Sequence, residues 1–141
     1  MRRALPSCEY LVIGHVTHDL RPDGTGYTMG GTATYAGLVA AALGRRVGIL
    51  TSAGDDFDPA PFAAPPFGER MTVQCCRGPH TTTFENRYTP EGRLQLLHRT
   101  AMPLTPDMIP PEWRSVPLVH IGPVAGECAP EWVSFFAGRA F

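Results

Sequence analysis

Two adjacent glycines and one aspartate are the residues whose types and spacing suggest chemistry. Gly30 and Gly31 stand directly before a run of helix-forming residues, and Asp19 precedes them in a polar segment. Glycine lacks a Cβ atom, so another group can approach its backbone closely. Free N–H groups at a helix start donate to polar ligands, and a carboxylate accepts hydroxyl protons. The combination suits a small polar ligand; the alternatives are a tight strand-to-helix turn and a solvated turn aspartate.

The flanking sequence predicts the elements that would hold these residues. Tyr10–Gly14 (YLVIG) and Val47–Thr51 (VGILT) are apolar runs typical of buried strands. Between them we expect a helix with Thr32 as its N-cap, helix formers over Ala33–Leu43, and Gly44 as the left-handed residue that ends it. The order strand, helix, strand predicts parallel pairing.

The amphipathic pattern of this helix predicts which face is buried. A stripe at helical spacing is expected to pack on the sheet, and it consists of Ala36, Val39, Ala40 and Leu43. Met71–Cys76 is a third strand candidate, in which Cys75 and Cys76 point to opposite faces. Leu118–Gly122 (LVHIG) is expected as another buried strand.

Two hairpins are predicted from turn chemistry. Thr17–Met29 carries a cluster of proline, aspartate and glycine between two short extended pieces. Thr82–Tyr88 and Arg93–Arg99 flank a Thr-Pro-Glu-Gly turn, and both strands are unusually polar. A half-exposed sheet, or a lid over something polar, accounts for strands of this composition.

The remaining segments are expected to be mainly connections. Pro59–Pro66 is too rich in proline for regular structure, and 102–117 is a linker with a short helix near Pro106–Ile109. Pro130–Phe141 carries enough apolar surface for a helix that needs further protein to cover it.

Composition bounds the class of protein. The chain has 141 residues, of which 43% are hydrophobic and 18% charged, as in a soluble globular domain. A formal charge of -1 gives no reason to expect nucleic acid or an anionic membrane as partner. All basic residues are arginine, which excludes the lysine of a P-loop or protein kinase and Schiff-base chemistry. No secretory signal or membrane-length apolar stretch is evident, so we expect a cytoplasmic protein.

Cysteine and histidine spacing gives no metal site. The cysteines are expected to be free thiols, because none has the spacing of a zinc site. His15 and His18 lie beside Asp19, but a strand end would place them on opposite faces. Other histidines are expected in packing or surface roles, namely His80, His98 and His120. Trp113 and Trp132 are expected to anchor the core.

Three stretches carry a family resemblance. VIGHVTHDL, followed by MGGTATYAGLVAAALGRRVGILTSAGDD, resembles the N-terminal half of the ribokinase (PfkB) superfamily of carbohydrate and nucleoside kinases. TTTFENRYTPEGRLQLL resembles the second lid hairpin of that family, and PLVHIGPV resembles the core strand that follows it. The resemblance implies a ribokinase-like α/β fold: a Rossmann-type parallel sheet with helices on both faces and a small β lid. Residues 1–141 would be the N-terminal part of one such domain, with lid segments at 17–30 and 81–100.

The resemblance also implies a substrate site. In the family an aspartate after the first strand binds substrate hydroxyls, and the glycine pair lets a sugar or polyol lie against the following helix. Thr32 and Tyr35 stand where ribokinases have lysine and asparagine, and G-G-T-x-T-Y is more similar to the branch that includes inositol kinases. The implied substrate-binding residues are Thr17, Asp19, Gly30, Gly31, Thr32 and Tyr35.

The implied activity is ATP- and Mg²⁺-dependent phosphorylation of a hydroxyl of a small sugar or polyol. The family's second signature, D-T-x-G-A-G-D, supplies the general base and the anion hole, and it does not occur in these residues. Ala53–Asp56 matches an early G-D-D of the family instead. No catalytic base, ATP contact or metal ligand can therefore be assigned to this chain. A non-catalytic sugar-binding protein or inactive fragment is the alternative, and a homodimer through the lid is left open. A Rossmann-type nucleotide binder is disfavoured because G-x-G-x-x-G is missing.

Overall fold

A parallel core sheet carries the fold. The structure is a computed structural model that describes residues 3–138. Its core sheet contains β1 (Tyr10–Ile13), β4 (Val47–Ala53), β5 (Met71–Arg77) and β8 (Leu118–Ile121), in the order β5-β4-β1-β8. All three neighbouring pairs are parallel. The predicted α/β class and the parallel pairing of the first two apolar runs are thus confirmed.

A second sheet is formed by the two hairpins. It contains β2 (Thr17–Leu20), β3 (Tyr27–Gly30), β6 (Thr82–Thr89) and β7 (Gly92–Arg99), in the order β3-β2-β6-β7. Each hairpin is antiparallel, as its turn chemistry predicts, whereas the central β2–β6 pair is parallel. The hairpins therefore make one continuous sheet beside the core.

The helix between β3 and β4 departs from prediction at its start. This helix, α1 (Thr32–Ala42), has Gly31 as its N-cap, with φ 91° and ψ 153°. Thr32 was the predicted N-cap, and the structure instead makes it the first helical residue. A positive φ is a conformation that glycine adopts at little cost. Gly44 has φ 85° beyond the other end, as predicted.

The buried face of α1 also differs from the predicted stripe. The helix buries small side chains, those of Ala33, Thr34, Gly37, Ala40 and Ala41. Val39 and Leu43 were predicted to pack on the sheet, but they are 60% and 73% exposed. The cause is close approach: a Cβ on Gly37 would lie 3.0 Å from Ile49 Cδ1. The helix thus presents its smallest residues to the sheet and leaves larger apolar residues outside.

Apolar clusters cover both faces of the core sheet. On the α1 side Val12 and Ile49 are fully buried. On the other side Leu11, Ile13 and Leu50 pack with several loop residues, including both tryptophans. Trp113 and Trp132 are fully buried, which confirms them as core anchors. Cys75 packs on the α1 side and Cys76 on the other, as strand alternation predicts.

Several connections are more regular than the sequence suggests. Ala60–Ala63 forms a 3₁₀ helix inside the proline-rich stretch, so the prediction of no regular structure there was wrong. Buried Phe62 holds that turn against the core. Further 3₁₀ turns span Gly68–Arg70 and Pro111–Trp113, and the short helix expected near Pro106 is a 3₁₀ turn over Pro106–Met108.

The last elements are partly exposed. Strand β8 was predicted to be buried, but it is an edge strand whose Leu118 is exposed. Helix α2 (Glu131–Phe136) is shorter than the predicted 130–141 segment, whose final three residues lie outside the described part of the chain. Within residues 3–138 there is no helix with the length and apolar character needed to span a membrane.

Candidate functional site

The carboxylate of Asp19 lies directly against Gly30. A Cβ atom built on Gly30 would be only 2.2 Å from Asp19 Oδ2 and 2.7 Å from its Cγ. The two residues sit on neighbouring strands of the β2–β3 hairpin, where Asp19 pairs with Thr28 and Thr17 pairs with Gly30. The missing side chain at Gly30 is therefore the space that the carboxylate occupies. The expected approach of Asp19 to the glycine pair is present in the structure.

Thr17 orients this carboxylate. Its hydroxyl donates a 2.7 Å hydrogen bond to Asp19 Oδ1, and the threonine itself is buried. Its methyl group faces Gly31, since a Cβ there would lie 3.2 Å from Thr17 Cγ2 and 2.4 Å from the carbonyl oxygen of His15. Since one oxygen of Asp19 is held by Thr17, the carboxylate is fixed while its other acceptor positions stay available.

The helix start completes the arrangement. Gly31 precedes the first turn of α1, whose leading N–H groups have no partners within the helix. Thr34 donates from its hydroxyl to the carbonyl oxygen of Gly30 at 2.7 Å, which ties the glycine pair to that turn. Thr32 packs on the end of β8, where a Cβ on Gly122 would meet its methyl at 2.6 Å.

Tyr35 is not brought to this arrangement. It is 59% exposed and lines a groove with Tyr10, Val39, Leu43 and Leu118, on the outer side of α1. None of the other predicted site residues lines that groove. The structure thus brings together Thr17, Asp19, Gly30 and Gly31, with Thr32 beside them, and separates Tyr35.

His15 lies at the centre of a buried hydrogen-bond network that the sequence did not reveal. The His15 backbone N–H donates to Glu127 Oε1 at 2.8 Å, and its ring lies between Thr82 Oγ1 (2.7 Å) and the Met102 carbonyl oxygen (2.9 Å). The Met102 carbonyl oxygen can only accept, so His15 Nε2 carries a proton, and in the neutral ring Nδ1 accepts from the Thr82 hydroxyl. His15 is then neutral, with its Nε2–H donating to Met102. Burial, partly opposed by Glu127 and the Met102 carbonyl, lowers the pKa of His15, which agrees with the neutral form.

Glu127 is the charged member of this network. Its carboxylate also accepts from the backbone N–H groups of Val124 and Ala125, at 3.0 and 2.8 Å. Burial alone would raise the pKa of Glu127, but the donors at His15 and Ala125 outweigh it and hold the pKa below its usual value. Glu127 therefore fixes the loop after β8 to His15, which lies two residues beyond the end of β1. Its sequence distance from His15 explains why no local pattern revealed it.

His18 lies on the opposite face of the second sheet from Asp19, because successive strand residues alternate. Its ring stacks on Tyr27 with centroids 3.6 Å apart, and its Nδ1 is 3.7 Å from Asp56 Oδ2. Burial lowers the pKa of His18, against the opposing charges of Asp56 and Asp19. His15 and His18 therefore belong to separate networks.

The described residues do not fit a metal or nucleophilic centre. Over residues 3–138 no group of three or more histidine, cysteine or acidic side chains is placed to hold a metal ion. The cysteines are thiols and not disulfides, and burial raises the pKa of Cys8 to about 11 and that of Cys128 to about 12. Thiols with such pKa values stay protonated near neutral pH and are poor nucleophiles.

Comparison with known proteins agrees with this architecture. No protein-family model and no curated protein sequence matches the chain. Among solved structures, a sulfate complex of a pyrophosphate-dependent kinase in the ribokinase family is 25% identical, with a TM-score of 0.74 over 94% of this chain and 48% of that one. A kinase of the same description, complexed with a pyrophosphate analog and myo-inositol, is 24% identical, with a TM-score of 0.72 over 93% and 46%. Halothermothrix orenii fructokinase is 18% identical, with a TM-score of 0.52 over 69% and 40%.

The fold defines the class of this protein: it has the α/β fold of the ribokinase-like kinases. The resemblance to the ribokinase (PfkB) superfamily that its motifs indicated is confirmed by these structures. The chain spans 48%, 46% and 40% of the lengths of these three structures.

Proposed function

We propose that this chain forms the acceptor-binding half of a kinase that phosphorylates a hydroxyl group of a small sugar or polyol. The observation that carries the proposal is the Asp19 carboxylate lying in the space left by Gly30, at the start of α1. A similar structure that contains myo-inositol supports a polyol as the class of acceptor.

The chemistry of the site suits a polyhydroxy ligand. An ionised carboxylate only accepts hydrogen bonds and can take two hydroxyl protons. Thr17 holds one carboxylate oxygen, so the acceptor meets a fixed partner, and less freedom is lost on binding. N–H groups at the start of α1 can donate to an acceptor oxygen at the same place. Donors and acceptors on both sides of the ligand would fix its orientation.

The phosphoryl donor enters the proposal by analogy alone. ATP with Mg²⁺ is the phosphoryl donor that the motifs imply, whereas two kinases of similar structure are described as pyrophosphate-dependent. A bound Mg²⁺ would neutralise charge on the transferred phosphoryl group. We assign no transfer step to this chain.

Acceptor binding without transfer is therefore the activity we propose for the chain by itself. The segment that would supply a general base and an anion hole is not found among its 141 residues. A non-catalytic sugar-binding protein is the second candidate, and the same observation favours it. The two differ in whether a partner polypeptide with that segment restores phosphoryl transfer.

Asp19→Asn tests the acceptor site. We expect the wild-type chain to bind at least one member of a panel of ribose, fructose and myo-inositol in calorimetric titration. Loss of a charge-assisted hydrogen bond, about 1.5–3 kcal/mol, predicts that Asp19→Asn weakens binding roughly tenfold to a hundredfold. Asp55→Asn, at an exposed aspartate, is the matched control and should bind like wild type.

Two results would contradict these proposals, one for acceptor binding and one for phosphoryl transfer. Unchanged affinity of Asp19→Asn for the whole panel would overturn the assignment of the site. Phosphorylated product from the 141-residue chain with ATP or pyrophosphate would overturn the statement that it lacks the transfer machinery.

A further inference from the structure

His15 joins the core to the root of the β6–β7 hairpin. It lies between β1 and β2 and is fully buried. Its ring bonds to Thr82, the first residue of β6, and to the carbonyl oxygen of Met102, three residues after β7 ends. The two chain segments that lead into and out of the hairpin therefore meet at one imidazole.

Further hydrogen bonds hold this junction in place. Ala101 donates its N–H to Thr82 Oγ1 at 2.9 Å, which ties the two ends of the hairpin to each other. Ser52, on the core strand β4, donates to the same Met102 carbonyl oxygen and lies 3.0 Å from His15 Nε2. Buried hydrogen bonds in such a network strengthen one another. The root of the hairpin is thus held to the core sheet through His15 and Ser52.

The backbone of His15 reaches the glycine pair. A Cβ atom built on Gly31 would lie 2.4 Å from the His15 carbonyl oxygen, so this oxygen occupies the place of a side chain at the start of α1. The backbone N–H of His15 donates to Glu127 at 2.8 Å, which fixes the residue from the side of the β8 loop. One residue therefore contacts the hairpin root with its ring and the helix start with its backbone.

We propose that His15 is a positioning residue for the acceptor site: it sets the β6–β7 hairpin against the glycine pair without touching the acceptor itself. The inference rests on the proposed function, since it assumes that Asp19 and the start of α1 bind the acceptor. Imidazole suits this role because its two ring nitrogens bond to different segments, and in the neutral form one donates while the other accepts. Loss of these bonds lets the hairpin and the glycine pair move independently, so the acceptor no longer meets a fixed site.

His15→Leu and His15→Gln test this role in calorimetric titrations with ribose, fructose and myo-inositol. Leucine has no polar side-chain atoms, whereas glutamine can still donate to the Met102 carbonyl oxygen. We expect His15→Leu to weaken the best-bound member of the panel about five- to a hundredfold, the usual range for coupled positions, and His15→Gln to recover part of this loss. Ile109→Val is the matched control, because Ile109 is buried in the cluster on the face of the core sheet opposite α1. It removes buried packing but should bind like wild type.

A spectroscopic measurement separates positioning from a general loss of stability. In two-dimensional amide NMR spectra of wild type, a saturating concentration of the best-bound panel member should shift the resonances of Gly31 and, through His15, of Ala101. In His15→Leu the shift at Gly31 should remain and the shift at Ala101 should become smaller. Equal shifts at Ala101 in the two proteins would overturn the inference.

The outcomes separate this inference from the proposed function. If Asp19→Asn weakens binding while His15→Leu and His15→Gln bind like wild type, the role of His15 is wrong and the acceptor site stands. If Ile109→Val weakens binding as much as His15→Leu does, the effect is one of stability and the role of His15 is again wrong. If the wild-type chain binds no member of the panel, both proposals are wrong. Folding is checked by far-ultraviolet circular dichroism, and if His15→Leu is unfolded, His15→Gln decides, because the inference requires it to bind more weakly than wild type.

Discussion

Gly30→Ala offers a direct test of the geometry at the site. Gly30 does not have a positive φ, so alanine can adopt its backbone conformation, and the substitution acts only through the added methyl group. That methyl would lie 2.2 Å from Asp19 Oδ2, 2.7 Å from Cγ and 2.9 Å from Oδ1. Ordinary van der Waals contact begins at 3.4 Å. The carboxylate must therefore retreat by more than 1 Å, a displacement of the kind that costs about a hundredfold in a positioned site.

The same clash predicts a change in stability that needs no ligand. Overpacking of this kind costs about 1–3 kcal/mol in the free energy of unfolding. In an Asp19→Ala background the obstructing carboxylate is gone, so Gly30→Ala should cost much less there. A double-mutant cycle in urea should accordingly give a coupling of about 0.5–3 kcal/mol. Gly78→Ala is a suitable control, because its methyl would meet only the flexible Met102 side chain, at 3.2 Å.

Additive effects of Gly30→Ala and Asp19→Ala on the free energy of unfolding would refute this reasoning. If Gly30→Ala has the same effect on unfolding with and without the Asp19 carboxylate, the two groups are not in contact. If Gly30→Ala also binds the acceptor as well as wild type does, the carboxylate is not the group that the glycine accommodates.

Two further predictions concern Glu127 and the outer groove. Glu127 has a folded-state pKa below the unfolded value, so its stabilisation is present above pH 4.5 and is lost as the pH falls through the folded pKa. Urea titrations from pH 7 to pH 3 should show this fall in the free energy of unfolding. Glu127→Gln should be less stable at pH 7 by about 1–3 kcal/mol, and its stability should depend less on pH. Parallel curves of stability against pH for wild type and Glu127→Gln would contradict the prediction. Replacing exposed Val39 and Leu43 by glutamine should raise the solubility of the chain and change the free energy of unfolding by less than about 0.5 kcal/mol. A large loss of unfolding free energy would mean that these residues are packed.

Local patterns predicted the elements of this fold well. Short β-branched runs gave the core strands, because such side chains fit a sheet covered on both faces. Turn residues located both hairpins, since proline and glycine restrict the backbone within a few residues. The approach of Asp19 to Gly30 followed from the family motifs, which supplied a relation that local propensity does not contain.

Properties set by tertiary packing were predicted less well. The stripe containing Val39 and Leu43 had helical spacing, but Gly37 lets the opposite, smaller face of α1 approach the sheet. Spacing alone cannot distinguish two such faces. Leu118 resembles a buried strand residue, and only the order of strands shows that β8 is at an edge.

The contacts of His15 were beyond sequence reasoning for a related reason. Its partners Thr82, Met102 and Glu127 are distant in the chain and carry no pattern of their own. Such a network follows only from the way in which loops from both sheets meet.

The parallel pairing of β2 with β6 has a consequence for the order of assembly. The chain between them contains α1 and the core strands β4 and β5, so we expect β2 and β6 to become neighbours only after the core crossovers have brought them together. Closing that long segment has an entropic cost that local hairpin contacts cannot offset. Each hairpin can form early, whereas we expect the Asp19–Phe84 register to form late in folding. The surface that carries Asp19 is therefore completed only when the two sheets have formed, and amide hydrogens along β2 should gain protection from exchange after those of β1 and β4.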